Sequence, residues 1–350
     1  MICKQKLAEL TKCYCVAGFD DDTGTHILVA SEKDYPCFMF SLQGEREETL
    51  WETPGGVMSM VQVPGVKDCL LATRKFYSPN DSKDAYIAAI YREGAGWKEH
   101  TLCALPHVHR FDIIPVGDTL YLFAATLLSR RDIKDDWSFP GKVYVGPLPQ
   151  DLRTGGLDLK VVQEGLLMNH GYTSRMVGGQ LTPVIATANG IFAYTPVQDE
   201  KGGLTWRSQR LLADPASEVR FLDLDGDGQE EMITLSPFHG DTLRVYAKKA
   251  SQWVLVYEYE EKIPFAHALC SFHRFGKPGA VIGHRKDAQK LLYLYWQDGD
   301  YRVDTLDTGV GSANALAFTR DGKEILISAN REINEVAMYW FEEEDANAKI

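Results

Sequence analysis

No stretch of this 350-residue chain approaches about 18 consecutive apolar residues, and the opening MICKQKLAELTK lacks the apolar core of a secretory leader. No membrane partner is expected, and a cytoplasmic location is. Positive charge is also scarce: 37 Lys and Arg stand against 49 Asp and Glu, a net charge of −12. Phosphate backbones are held largely by Lys and Arg, so this balance argues against a nucleic-acid partner. The seven cysteines (Cys3, Cys13, Cys15, Cys37, Cys69, Cys103 and Cys270) are odd in number and have no CxxC spacing. They read as free thiols in a reducing compartment rather than as a disulfide framework. No GxSxG, P-loop or dinucleotide fingerprint occurs in a suitable context, which disfavours nucleotide-dependent chemistry.

What is present is repetition. Short strand-like runs end in a tight polar turn and restart about every 43 to 61 residues. The junctions are KLAELTKCYCVAGF from Lys6, TLWETPGGVMSMVQV from Thr49, TLCALPHVHRFDII from Thr101 and VQEGLLMNHGYTSRM from Val162. RLLADPASEVRFLDL from Arg210, KIPFAHALCSFHRF from Lys262 and TLDTGVGSANALAF from Thr305 complete the set. Each repeat reads as four strands, a to d. The b strands are apolar (CLLAT, LYLFAAT, EMITL), the c strands alternate and are aromatic (CFMFSL, LLYLYW, VAMYWF), and the d strands run outward (GWKEHTL, SQWVLVYEY). This register predicts an all-β, seven-bladed β-propeller rather than two β-sandwiches. The single domain spans residues 1–343, with residues 4–11 as the outer strand of the last blade, which closes the ring and hides sheet edges. Residues 344–350 form an acidic tail. Two insertions, 127–142 and 147–160, are longer than a compact fold requires.

In a four-stranded meander the d–a junctions and b–c loops emerge on one face. That face receives His107, His109, Asn169, His170, Glu218, His267 and Asn314 from junctions. The b–c loops add Glu32, Lys33, Arg74, Lys75, Arg130, Arg131, His239, His284, Arg285, Asn330 and Arg331. Only His26, His100 and His273 of the nine histidines lie elsewhere. Neutral imidazole is both a metal ligand and a base near neutral pH, so a ring of them at a channel mouth suggests a divalent-metal site or acid–base catalysis. Surrounding guanidinium groups suit a carboxylate or a developing oxyanion. On this reading His109, His170, Glu218 and His267 hold Mg, Mn or Zn. His107, His239 or His284 is the base, and Tyr172 assists the leaving hydroxyl. Arg74, Lys75, Arg130, Arg131, Arg285, Asn314 and Arg331 contact a small carbohydrate, which Trp137 and Phe139 cover. A hydrolase with paired carboxylates (Glu32, Glu218, Asp132, Asp287) is the weaker enzymatic alternative, since no spacing forces two of them together.

The sharpest local motif is Asp223-Leu-Asp225-Gly-Asp227-Gly-Gln229-Glu-Glu231, with oxygen donors at alternate positions and glycines for the turn. It resembles the calcium loops of FG-GAP and integrin-α-type propeller repeats. That resemblance implies Asp223, Asp225, Asp227, the Gln229 carbonyl and Glu231 as Ca²⁺ ligands between strands a and b; an ion-free hairpin is the alternative. By architecture the whole chain is also similar to propeller sugar lyases and dehydratases, including oligogalacturonate lyases and the aldos-2-ulose and anhydrofructose dehydratases. This likeness implies metal-assisted β-elimination from a sugar or sugar acid. A non-catalytic ligand- or protein-binding propeller is the alternative.

Overall fold

The computed structural model describes residues 1–198 and 203–342; the acidic tail at 344–350 lies outside them. Seven four-stranded antiparallel sheets follow one another along the chain. Blade one is Cys13–Asp20, Thr25–Ser31, Cys37–Ser41 and Arg46–Trp51 as strands a to d. The a strands of blades two to seven are Met60–Gln62, Val108–Val116, Gly171–Val177, Glu218–Leu222, Ala266–Arg274 and Ser312–Arg320. Each a strand packs beside those of the neighbouring blades, and the a strand of blade seven meets that of blade one. The chain is therefore a closed seven-bladed β-propeller. No helix among the described residues is long and apolar enough to cross a membrane.

Position in the sheet explains the strand sequences. A b strand is covered on both faces by adjacent blades, so Cys69–Arg74 and Glu231–Ser236 are buried throughout and read as nearly unbroken apolar runs. A d strand lies at the rim, so Gly96–Ala104 and Gln252–Glu258 are mostly exposed. The core consists of layers between blades: Ile27, Val29, Phe38 and Phe40 of blade one pack on Ile325, Ile327, Val336 and Met338 of blade seven.

The outer strand of blade seven comes from the other end of the chain. Ile2–Glu9 pairs antiparallel with Glu335–Phe341, from Ile2 opposite Phe341 to Glu9 opposite Glu335. The observed strand begins and ends two residues earlier than the span 4–11 expected from sequence, because Thr11 and Lys12 already form the turn that launches blade one. Lys4 bridges Asp307 at 2.9 Å and Glu335 at 2.7 Å, which ties this strand to blades six and seven. Deleting residues 1–9 should leave the edge of Glu335–Phe341 unpaired. We expect a lower Tm and concentration-dependent self-association, read by scanning calorimetry and size-exclusion chromatography. A monomer of unchanged Tm would mean that this strand does not hold the ring.

Candidate functional site

The channel side chains are placed by one local device repeated around the ring. Lys12, His107, Met168 and Phe265 adopt positive φ (50°, 63°, 50° and 60°), as do Gly56 and Gly311 (72° and 59°). Each lies two residues before Tyr14, His109, His170, His267, Met58 or Ala313. Left-handed residues turn the chain sharply as it drops from the outer strand of one blade to the inner strand of the next. Blade five lacks the feature, since Pro215 occupies that position and fixes φ negative. In blades one, three, six and seven the register then slips by one residue, across Cys13/Cys15, Val108/Arg110, Ala266/Ala268 and Ser312/Asn314. Tyr14, His109, His267 and Ala313 are the extra residues of these bulges, and a bulge re-aims its side chain.

Three imidazoles converge. His170, His239 and His267 present ring nitrogens that lie within 4.8 Å of one another. His170 Nε2 and His239 Nε2 are 3.3 Å apart. Two such nitrogens in contact require a proton or a cation between them. The opposite nitrogens are committed: His170 Nδ1 donates to the Ser217 carbonyl at 3.0 Å and His267 Nδ1 to that of Ala313 at 2.6 Å. Each acceptor is the channel-end residue of the following blade. Holding Nδ1–H on a carbonyl leaves Nε2 as the lone-pair nitrogen, the orientation found in histidine metal ligands. His109 stacks beside His170 with centroids 4.4 Å apart. The Tyr14 hydroxyl lies 3.2 Å from His267 Nε2 and 3.4 Å from His109 Nε2, and so links the two rings. His109 Nδ1 is buried without a hydrogen-bond partner among the described residues.

These groups line a cavity of about 200 Å³ walled by Met58, Phe76, Trp137, Phe265, Glu32 and Arg285. Phe238 and Phe265 stack on either side of His239, with centroids 3.9 and 4.3 Å away. Trp137, from the 127–142 insertion, packs on Phe238 at 4.9 Å. Burial in this apolar shell keeps His109, His239 and His267 well below the usual imidazole range. Neighbouring His170 lowers all three further, as does Arg285 for His239 and His267. Burial likewise pushes the Tyr14 phenol up. Near neutral pH these three rings are neutral and Tyr14 keeps its proton.

Glu218 lies beneath this cluster. Its Oε1 is 3.0 Å from Arg110 Nη2 and 3.2 Å from His170 Nδ1. Burial alone raises the carboxyl, but Arg110 and His170 outweigh it and hold it below the ordinary range. Glu218 thus orients His170 from behind, and His239 stands with the two other imidazoles where sequence had put a base.

The remaining site candidates disperse. His107 Nδ1 is 2.8 Å from the Ser82 hydroxyl, away from the cavity, and burial and Arg131 lower its pKa to about 4. His284 donates from Nδ1 to Lys286 O at 3.0 Å and accepts at Nε2 from Lys290 N at 3.0 Å, so both nitrogens are spent on its loop. Tyr172 lines the lower channel and donates to Asp112 at 2.7 Å. Arg74 is buried, pairs with Glu99 at 2.9 Å and stacks on Trp51. Lys75 lies over Tyr86, and Arg130 pairs with Asp132 and lies over Phe139. Arg131 supports the insertion by donating to Asn80 at 2.6 Å and stacking on Trp137. Arg331 pairs with Glu32 and Glu332, and Asn314 donates to Tyr14 O at 3.0 Å. Of these basic groups only Arg285 lines the histidine cavity, where it also pairs with Glu332 at 2.7 Å. Sequence reasoning passed over Tyr14, Phe238 and Phe265. Tyr14 was detectable, since it occupies in KLAELTKCYCVAGF the position that histidine holds in the third, fourth and sixth junctions.

The aspartate turn lies on the opposite side of the blade. Asp223 accepts from Gly226 N and Gly228 N, Asp225 from Asp227 N, and Asp227 from Gln229 N. The three carboxylates approach within 4.8 Å. Glu231 is buried, accepts from Leu224 N at 2.7 Å, and is raised by burial to about 7.

No protein-family model matches the chain, and no curated protein matches it in sequence. Solved structures share its fold. The β-propeller domain of Cps50 (Swd1) from Myceliophteria thermophila has a TM-score of 0.61 at 11% identity, covering 97% of this chain and 100% of that one. Virginiamycin B lyase from Staphylococcus aureus has a TM-score of 0.61 at 14% identity, covering 98% and 100%. At these identities the likeness concerns the fold alone.

Because burial depresses His107, His239 and His267, the unfolded chain binds more protons than the folded one below the ordinary histidine value of 6.5. Stability should be full near pH 7 and fall as pH drops below about 6.5. Urea unfolding at pH 7 and at pH 5 checks this, and the fall should be shallower in His107→Asn. A pH-independent midpoint would contradict the buried, neutral assignment.

Proposed function

We propose that the chain is a lyase acting on a small oxygenated ligand, a sugar or sugar acid, by elimination at the histidine end of its channel, with a divalent metal held by His170, His239 and His267. The observation that carries this reading is the convergence of three ring nitrogens within 4.8 Å, two of them with the opposite N–H fixed on a backbone carbonyl. Such a donor set would suit Zn or Mn. The cavity of about 200 Å³ is smaller than the range of about 300–1,000 Å³ typical of drug-sized ligands, which favours a monosaccharide-sized molecule.

A bound metal supplies a Lewis acid that polarises the ligand carbonyl or carboxylate. The chain's own residues handle the protons. Neutral His109 accepts the proton from the carbon beside that group. The Tyr14 hydroxyl, kept protonated by burial, donates to the departing hydroxyl as the carbon–oxygen bond breaks, releasing water. The His109 imidazolium then returns a proton to the Tyr14 phenolate across 3.4 Å. Arg285 sits where it can meet a ligand carboxylate, and Trp137 and Phe265 exclude bulk water.

Metal analysis of purified protein should find one equivalent of transition metal that is lost in His170→Ala, His239→Ala and His267→Ala variants whose circular dichroism is unchanged. Calcium at the aspartate turn would instead leave with Asp225→Asn. In a screen of keto-sugars and uronides, Tyr14→Phe should lower kcat about 10²–10⁴-fold, the range for a lost general acid, whereas His284→Gln should not. Metal content indifferent to the three histidines would sink the proposal. Saturable binding without turnover would reassign the cavity to a binding module.

A further inference from the structure

Below the histidines the channel opens into a second chamber of about 260 Å³, toward the a–b turns. Two guanidinium groups line it, Arg110 and Arg220. Arg110 is fully engaged: it donates to Glu218 at 3.0 Å, to Met58 O at 3.2 Å and to His170 O at 3.3 Å. Arg220 is not so matched. Its Nη1 donates to the carbonyls of Tyr172 at 2.7 Å and Val219 at 2.9 Å. Among the described residues no carboxylate forms an ion pair with it, since Glu218 is taken by Arg110 and His170. Its Nε and Nη2 have no hydrogen-bond partner among the described residues, so half of the guanidinium fork is unused. The other acid in the chamber, Asp112, already accepts from Tyr172, from Ser174 at 3.2 Å and from the Ile113 amide at 2.8 Å. Burial pushes that carboxyl up, which makes it a poorer counter-ion. Arg220 is half-buried with its Nε and Nη2 open to the chamber, and a guanidinium fork matches planar oxyanions in particular.

We propose that this chamber binds a small oxyanion, a carboxylate or a phosphate, through the free edge of Arg220. The site stands apart from the lyase reading, because it lies beyond Arg110 and uses none of the histidines. Its apolar walls (Met60, Leu269, Ala315) limit the ligand to a short tail. The test is calorimetric titration and thermal unfolding of the whole protein with acetate and with inorganic phosphate, at ionic strength held constant with chloride. The site predicts saturable one-to-one binding of at least one of them, with a rise in Tm. Which anion saturates distinguishes the carboxylate from the phosphate. Arg220→Met should weaken binding about tenfold or more, as loss of a charged hydrogen-bonding partner does. Ala315→Asp, which supplies a carboxylate to the same chamber while leaving Arg220 in place, should weaken it too and decides the matter if Arg220→Met does not fold. His239→Ala should bind as the wild type does. No saturable response to either anion, or wild-type affinity in both Ala315→Asp and Arg220→Met, would overturn the assignment.

Discussion

Antiparallel pairing of Ile2–Glu9 with Glu335–Phe341 is the contact on which the rest of the molecule depends. Seven twisted sheets laid side by side have two free flanks, and nothing within one sheet obliges the last to meet the first. Supplying the outer strand of blade seven from the chain start makes blade seven whole and sets it against blade one, where Phe38 and Phe40 meet Ile325 and Met338. Only in a closed ring do a strands separated by hundreds of residues share an axis. The histidine cavity and the oxyanion chamber are both properties of that axis.

Once the ring is closed, burial dictates the chemistry of the channel. A polar group removed from water must find a partner, and the partners here are mainly carbonyls at the heads of neighbouring blades. His170 uses Ser217 O, His267 uses Ala313 O, Arg110 uses Met58 O and His170 O, and Asn314 uses Tyr14 O. The same bonds that stitch adjacent blades fix the imidazole tautomers and leave their other nitrogens facing one another. Stability and ligand readiness thus come from one set of contacts. Arg110 and Glu218 pair between an upper part lined by imidazoles and a lower part lined by Arg220 and Asp112.

The blades were legible because a strand buried on both faces must be apolar along its length, and one at the rim need not be. The meander also fixes which loops share a face, so the common side of the histidines followed from connectivity. Their convergence did not. His107 and His109 are two residues apart in one junction, yet His109 reaches the axis while His107 turns toward Ser82. The difference is that His107 is itself the left-handed residue of the turn and His109 the extra residue of the bulge that follows, and a bulge leaves no mark in the apolar pattern. Arg74 and Arg131 were legible as basic groups on the right face, but not as groups stacked on Trp51 and Trp137.

By itself, then, the sequence determined seven four-stranded units, the use of the chain start to complete the last, and the face on which imidazoles gather, because periodicity and connectivity are local properties. Tertiary structure alone decided that His170, His239 and His267 meet, that Tyr14 joins His109 to His267, that Glu218 stands behind His170, and that Arg220 keeps a free edge. Those outcomes depend on register between neighbouring sheets and on which carbonyl each buried donor finds, and both are set only when the ring is closed.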